Sequence, residues 1–163
     1  MRIRRLIHFA RRYLEECGIN QRNIHPKICP SAKESCFDFV MKEYEKEVET
    51  YREKKNHLNL ALVVIMDGDG QSDQRLKKLE NPVKREKDEK IIFIPNQNIE
   101  TWFEYVANPD EDCKETLDYK QNHKETAPTI IAKDFKTKVC QRGKPPLLPS
   151  LKAACNELRR LGL

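Results

Sequence analysis

No apolar run in this chain comes near the roughly 20 residues that a bilayer-spanning helix needs, and its mean hydropathy is −0.80. A membrane-spanning helical protein is not expected. The basic start Met1-Arg2-Ile3-Arg4-Arg5-Leu6 lacks the long apolar region of a secretory signal, so a cytoplasmic protein is the expectation. No C-x-x-C pair occurs among the six cysteines, Cys17, Cys29, Cys36, Cys113, Cys140 and Cys155. The spacings of Cys29, Cys36, Cys113 and His123 fit no common zinc module. Free thiols are expected in a chain of this size without an export signal. A strong excess of one charge is also missing: 31 Lys and Arg against 26 Asp and Glu leave +5. That balance is compatible with a nucleic-acid partner but does not argue for one alone.

What is present suffices for one domain, since 163 residues can bury a core without metal or disulfides. Ile3, Leu6, Ile7, Ala10, Leu14 and Cys17 recur at helical spacing and Gly18 closes the pattern. Arg4, Arg5, Arg11 and Arg12 lie largely off that stripe and read as a solvated face. Ile24 to Cys29 is a short edge strand at most, because Pro26 cannot donate to a ladder. Behind Ser35 as N-cap, Phe37, Val40, Met41, Tyr44, Val48 and Tyr51 form a longer helical stripe. Both tyrosines lie on it and are expected in the core.

Ala61 to Met66 is rich in Val and Ile and reads as a strand buried on both faces. A short helix follows from Ser72 or Asp73 to Asn81-Pro82. Lys84 to Lys90 is a charged connector, and Ile91 to Ile94 is a second buried strand stopped by Pro95. Asn98 is placed to cap a helix carrying Ile99, Trp102, Phe103 and Val106 on one face. After a polar stretch, a weak helix is expected near Ile130 to Phe135, and a firm one through Leu148, Leu151, Ala154, Cys155, Leu158 and Leu161. Helices alternating with strands imply an α/β fold with a mostly parallel sheet covered on both sides. Residues 1–106 carry that core, and residues 107–163 form a helical extension packed on the same domain.

The densest chemistry is at Asp67-Gly68-Asp69-Gly70, directly after the first apolar strand. Two carboxylates one residue apart repel each other unless something positive lies between them, and a divalent cation is the usual candidate. The bland alternative is an acidic turn, since Asp and Gly are ordinary turn residues. Ligands of such sheets gather beyond the carboxyl ends of the strands. Glu100 follows the next strand, so Asp67, Asp69 and Glu100 are the candidate metal ligands and catalytic acids, for Mg²⁺ or Mn²⁺. For Glu100 the alternative is a carboxylate in the favourable first turn of a helix.

The run from Leu62 to Asp69, the strand after it, and Pro95-Asn96-Gln97-Asn98-Ile99-Glu100-Thr101-Trp102 together resemble the Toprim superfamily, particularly small stand-alone bacterial proteins related to overcoming-lysogenization-defect nucleases. Phe9-Ala10-Arg11-Arg12-Tyr13-Leu14 is similar to the first helix of those proteins. The resemblance implies a Toprim- or Rossmann-like three-layer sandwich and Mg²⁺-dependent phosphodiester chemistry on nucleic acid. Within it, Asp67 and Asp69 match the Asp-x-Asp pair, and Glu100 matches an acidic position of the small relatives. The glutamate that the superfamily carries after its first strand has no counterpart, as if one N-terminal strand were missing.

Three functions follow. The first is a Mg²⁺-dependent nuclease, with Lys77, Lys78, Lys84, Arg85 and Lys87 on the polynucleotide backbone. The second is a non-catalytic adaptor or nucleic-acid-binding module on the same fold, associating with a protein partner or nucleic acid without turnover. The third is a haloacid-dehalogenase-type phosphatase with Asp67 as nucleophile, weakened by the absence of the usual following threonine. An EF-hand is excluded, because Ser72 and Lys78 stand where its glycine and bidentate glutamate belong.

Overall fold

The structure, a computed structural model, describes residues 2–30, 35–80, 90–108, 112–140 and 146–162. Among them the fold is mixed α/β: α1 (Arg2–Glu16), α2 (Cys36–Lys54), β1 (Leu62–Ile65), α3 (Ser72–Glu80), β2 (Lys90–Phe93), α4 (Ile99–Ala107), α5 (Pro128–Asp134) and α6 (Pro149–Arg160). Gln21–Asn23 forms one 3₁₀ turn, and α5 continues into a π-helical turn over Phe135–Val139.

The two strands pair in parallel, Leu62 opposite Lys90 through Ile65 opposite Phe93. Side chains alternate across a strand, and here the alternation feeds two separate clusters. Val64, Met66, Ile92 and Ile94 meet Tyr44 and Val48 of α2 and Leu79 of α3. Phe93, with Val63 and Ile65, joins the larger cluster built by α1, α4, α5 and α6. There Phe9, Tyr13, Phe93, Trp102, Phe103 and Phe135 form a ring network with edge-to-face pairs such as Phe9 on Phe135 at 5.3 Å. Trp102 is fully buried and its Nε1 donates to Ser150 Oγ at 2.9 Å, so its one polar atom is satisfied. Tyr44 and Tyr51 are buried as expected.

Three expectations change. Among the described residues there are two strands, not three, and Ile24 to Cys29 runs as irregular chain. Pro26 removes a donor from that segment, and no described strand lies alongside to pair with it. Arg5 is not on a solvated face, because it makes the contacts described below. The cysteines are not all free: Cys140 and Cys155 are bonded, with Cα atoms 5.2 Å apart, while Cys17, Cys29, Cys36 and Cys113 are thiols. The π turn ending at Val139 delivers Cys140 onto the buried face of α6, where Cys155 sits. The end of α3 at Asn81-Pro82 and the connector from Lys84 onward lie outside the described residues.

Candidate functional site

Beyond β1 and β2 the two chains stay hydrogen-bonded through the acidic turn. Met66 N–H donates to Phe93 O at 3.1 Å, Gly68 N–H to Pro95 O at 2.8 Å, Gly70 N–H to Asn96 O at 2.7 Å and Asp69 N–H to Gln97 O at 3.0 Å. The residue at 68 must be glycine, since a Cβ there would collide with the carbonyl oxygens of Pro95 and Asn96. Asp69 takes a left-handed conformation with φ 47°, followed by Gly70 at 76°. Asp tolerates that region better than most residues. The sequence therefore fixes both acids on one rigid turn at the carboxyl end of a parallel pair.

The two acids have different partners. Asp67 Oδ1 accepts the N–H of Ile99, the first residue of α4, at 3.1 Å. Asn98, the expected cap, stands in extended conformation without a capping bond; its Nδ2 donates to Asp118 Oδ1 at 3.1 Å instead. The Asp69 side chain is about half exposed, and its Oδ2 pairs with Arg75 Nη2 at 3.0 Å. Arg75 reaches back from the first turn of α3, donates from Nη1 to the Asp67 carbonyl, and lays its guanidinium over the Phe37 ring at 5.1 Å. Cys36, at the start of α2, is also close: burial, a hydrogen bond with Cys29, and the charges of Asp67 and Asp69 push its thiol up to about 11. Burial is the largest of these causes and the two aspartates the smallest.

Glu100 is elsewhere in its bonding. It is buried on α4, and its Oε1 pairs with Arg5 Nε at 2.8 Å. The same guanidinium donates to the carbonyls of His123 at 2.6 Å, Lys124 at 3.0 Å and Thr126 at 3.1 Å, and lies 5.5 Å from the Phe103 ring. One turn along α4, Glu104 forms a second buried polar knot. Its Oε2 accepts from His123 Nε2 at 2.8 Å and Asn122 Nδ2 at 3.2 Å, and its Oε1 from Asn108 Nδ2 at 2.8 Å. Burial alone would raise the Glu104 carboxyl, but these hydrogen bonds and the histidine outweigh it and hold the pKa low. The other ring nitrogen, Nδ1, lies 3.0 Å from Thr126 Oγ1.

The donor chemistry of Asp67 and Asp69 fits a hard divalent cation, which is commonly held by one or two carboxylates with waters and phosphate oxygens. Among the described residues no group of three or more His, Cys, Asp or Glu side chains is assembled as for a metal ion. Asp67 and Asp69 thus share one turn with their carboxylates on different partners, and Glu100 pairs with Arg5. His123 goes to Glu104, while Cys29 and Cys36 meet each other. Of the expected basic residues, Lys77 and Lys78 lie exposed on α3 near the turn; Lys84, Arg85 and Lys87 lie outside the described residues.

Sequence reasoning missed Arg75, Arg5 and the Glu104–His123 knot. An arginine three residues after Ser72, in the first turn of the helix behind two acids, was the available signal for Arg75. No sequence signal joins Arg5 to Glu100, or Glu104 to His123. No family model, curated protein or solved structure matches the chain.

Proposed function

We propose that this chain is a Toprim-like domain acting on nucleic-acid phosphodiesters with Mg²⁺ or Mn²⁺ at Asp67 and Asp69. The observation that carries the reading is the acidic turn itself: two carboxylates on a backbone clamped between the ends of two parallel strands. A divalent ion bound there would supply Lewis-acid polarisation of a phosphoryl oxygen. The chain's own part is to hold the acids on one turn, to present Lys77 and Lys78 from α3 to a phosphate backbone, and to brace α4 against β1 through Asp67. Glu100 enters through Arg5, as a positioning residue for the segment from His123 to Thr126. In this reading the described strands are the middle of a three-layer sandwich, with α2 and α3 on one side and the remaining helices on the other.

The test is cleavage of single- and double-stranded DNA and RNA with Mg²⁺ or Mn²⁺. Wild type is expected to cut and Asp69→Asn not to cut; equal cleavage by both proteins, or none by either, rejects the enzyme.

A non-catalytic binding module is the second reading, favoured by one feature of the sheet. Met66 N–H points toward β2, so the backbone groups of Val63 and Ile65 point the other way. Among the described residues no strand pairs with that edge. A protein partner adding a strand there would complete the sheet. The enzyme reading also includes a cytoplasmic setting. The Cys140–Cys155 bond argues against that setting, since reducing compartments seldom preserve disulfides. Among the described residues, no helix is long and apolar enough to cross a membrane.

A further inference from the structure

We propose that Arg75 is the resident counter-ion of the acidic turn, and that a divalent cation binds there only by displacing its guanidinium from Asp69. The inference rests on the reading of Asp67 and Asp69 as a cation-binding pair and assigns a residue that sets the affinity of that pair.

The geometry is specific. Arg75 touches both acidic residues of the turn: its Nη2 stands 3.0 Å from Asp69 Oδ2, and its Nη1 donates to the Asp67 carbonyl. It is largely buried, with 15% of its side chain exposed, so its charge is screened less than that of a surface arginine. Phe37 supports the guanidinium plane from α2, and Lys78 stands over the same ring at 5.1 Å. A stacked guanidinium holds a fixed orientation that an ammonium does not reproduce.

Two consequences follow from charge alone. Without a divalent ion, Arg75 offsets the repulsion between two carboxylates on one turn, so the turn folds without metal. With the ion, a single positive charge and a double one compete for the same Asp69 oxygen. At separations of a few ångströms the two positive charges repel each other even at solvent-like dielectric. Arg75 therefore weakens divalent binding, and leaves Asp69 when a cation arrives. The released guanidinium is then a donor fork suited to a phosphate.

Mn²⁺ binding, followed by electron paramagnetic resonance on the whole chain without nucleic acid, tests this independently of catalysis. Arg75→Gln is expected to bind Mn²⁺ about tenfold more tightly than wild type, and Arg75→Lys to fall between them. Circular dichroism and urea titration establish that each variant is folded. Where Arg75→Gln is too unstable to titrate, Arg75→Lys carries the comparison, and weaker Mn²⁺ binding than wild type overturns the proposal. Wild-type affinity in a folded Arg75→Gln also overturns it and leaves the metal reading standing. No Mn²⁺ binding by wild type or either variant at millimolar ion overturns the proposal together with the reading beneath it.

Discussion

Asp67 caps the helix that begins at Ile99: its Oδ1 accepts the Ile99 N–H at 3.1 Å across a separation of 32 residues. An acid ending one strand thereby satisfies a donor of the helix after the next, and complements that helix's dipole. The same carboxylate is one of the two proposed for a cation, so structural and functional roles meet in one side chain.

Those roles separate by substitution. Asp67→Ala removes the acceptor and is expected to cost about 1–2 kcal/mol of stability. Asp67→Asn keeps an amide oxygen facing the helix and is expected to cost well under half as much. Both variants are expected to lose divalent-dependent cleavage, because Asn is neutral. Urea unfolding beside a cleavage assay checks this, and equal destabilisation by Ala and Asn would dismiss the cap.

The Cys140–Cys155 bond closes a loop of 15 residues between the π turn and α6. A closed loop of that length is worth about 3 kcal/mol in the chain-entropy account. Excess dithiothreitol is expected to lower the urea midpoint of wild type, while Cys140→Ser is expected to unfold at the same lower midpoint with or without reductant. Mass spectrometry of the alkylated protein reports whether the thiols paired. Wild type that carries six alkylated cysteines without prior reduction would mean that the bond does not form.

The sequence made legible what periodicity encodes. Val and Ile runs placed both strands, the stripe through Tyr44 and Tyr51 placed α2, and Leu148 to Leu161 placed α6. The acidic turn was legible because two glycines and two acids after a strand are locally distinctive. What escaped was every bond between distant segments. Asn98 was expected to cap α4 because caps are ordinarily local, yet Asp67 does so through strand pairing that fixes its height beside Ile99. Arg5 looked like solvated surface because charge on a helix usually is, and its burial depends on where the segment from His123 to Thr126 comes to rest. The pairing of Cys140 with Cys155 required a π turn, which no spacing rule announces.

Acid should loosen the Glu104 knot. Hydrogen bonds from Asn108, Asn122 and His123 hold the folded-state pKa of Glu104 below its ordinary value, despite burial. A depressed carboxyl stabilises the fold fully above its unfolded pKa, and that stabilisation is lost as pH falls through the folded value. The wild-type urea midpoint is therefore expected to fall as pH drops below the ordinary carboxylate range. Glu104→Gln, with no charge to lose, is expected to start lower and show a shallower slope over that range. Parallel slopes would place the acid-labile group elsewhere.

Glu100 decides whether the third acid belongs to the fold or to a cation. Its carboxylate meets Arg5 at 2.8 Å with 7% of the side chain exposed, and the Nη1 and Nη2 groups of Arg5 donate to three carbonyls of the segment from His123 to Thr126. Removing Glu100 leaves a guanidinium in a mostly buried setting with no counter-charge. Breaking one side of a buried pair costs about 3–5 kcal/mol; the 20% exposure of Arg5 softens this, and Glu100→Gln is expected to cost roughly 2–3 kcal/mol. Arg5→Met is expected to cost a similar amount, and the double variant clearly less than the sum, because each single change already forfeits the pair. Hydrogen exchange is expected to rise from Tyr119 to Thr126 in both single variants. Mn²⁺ affinity is expected to stay within about twofold of wild type in Glu100→Gln, since the ion's proposed carboxylates are Asp67 and Asp69. A large loss of Mn²⁺ affinity with unchanged stability would transfer Glu100 to the metal and require Arg5 to release it when the ion binds.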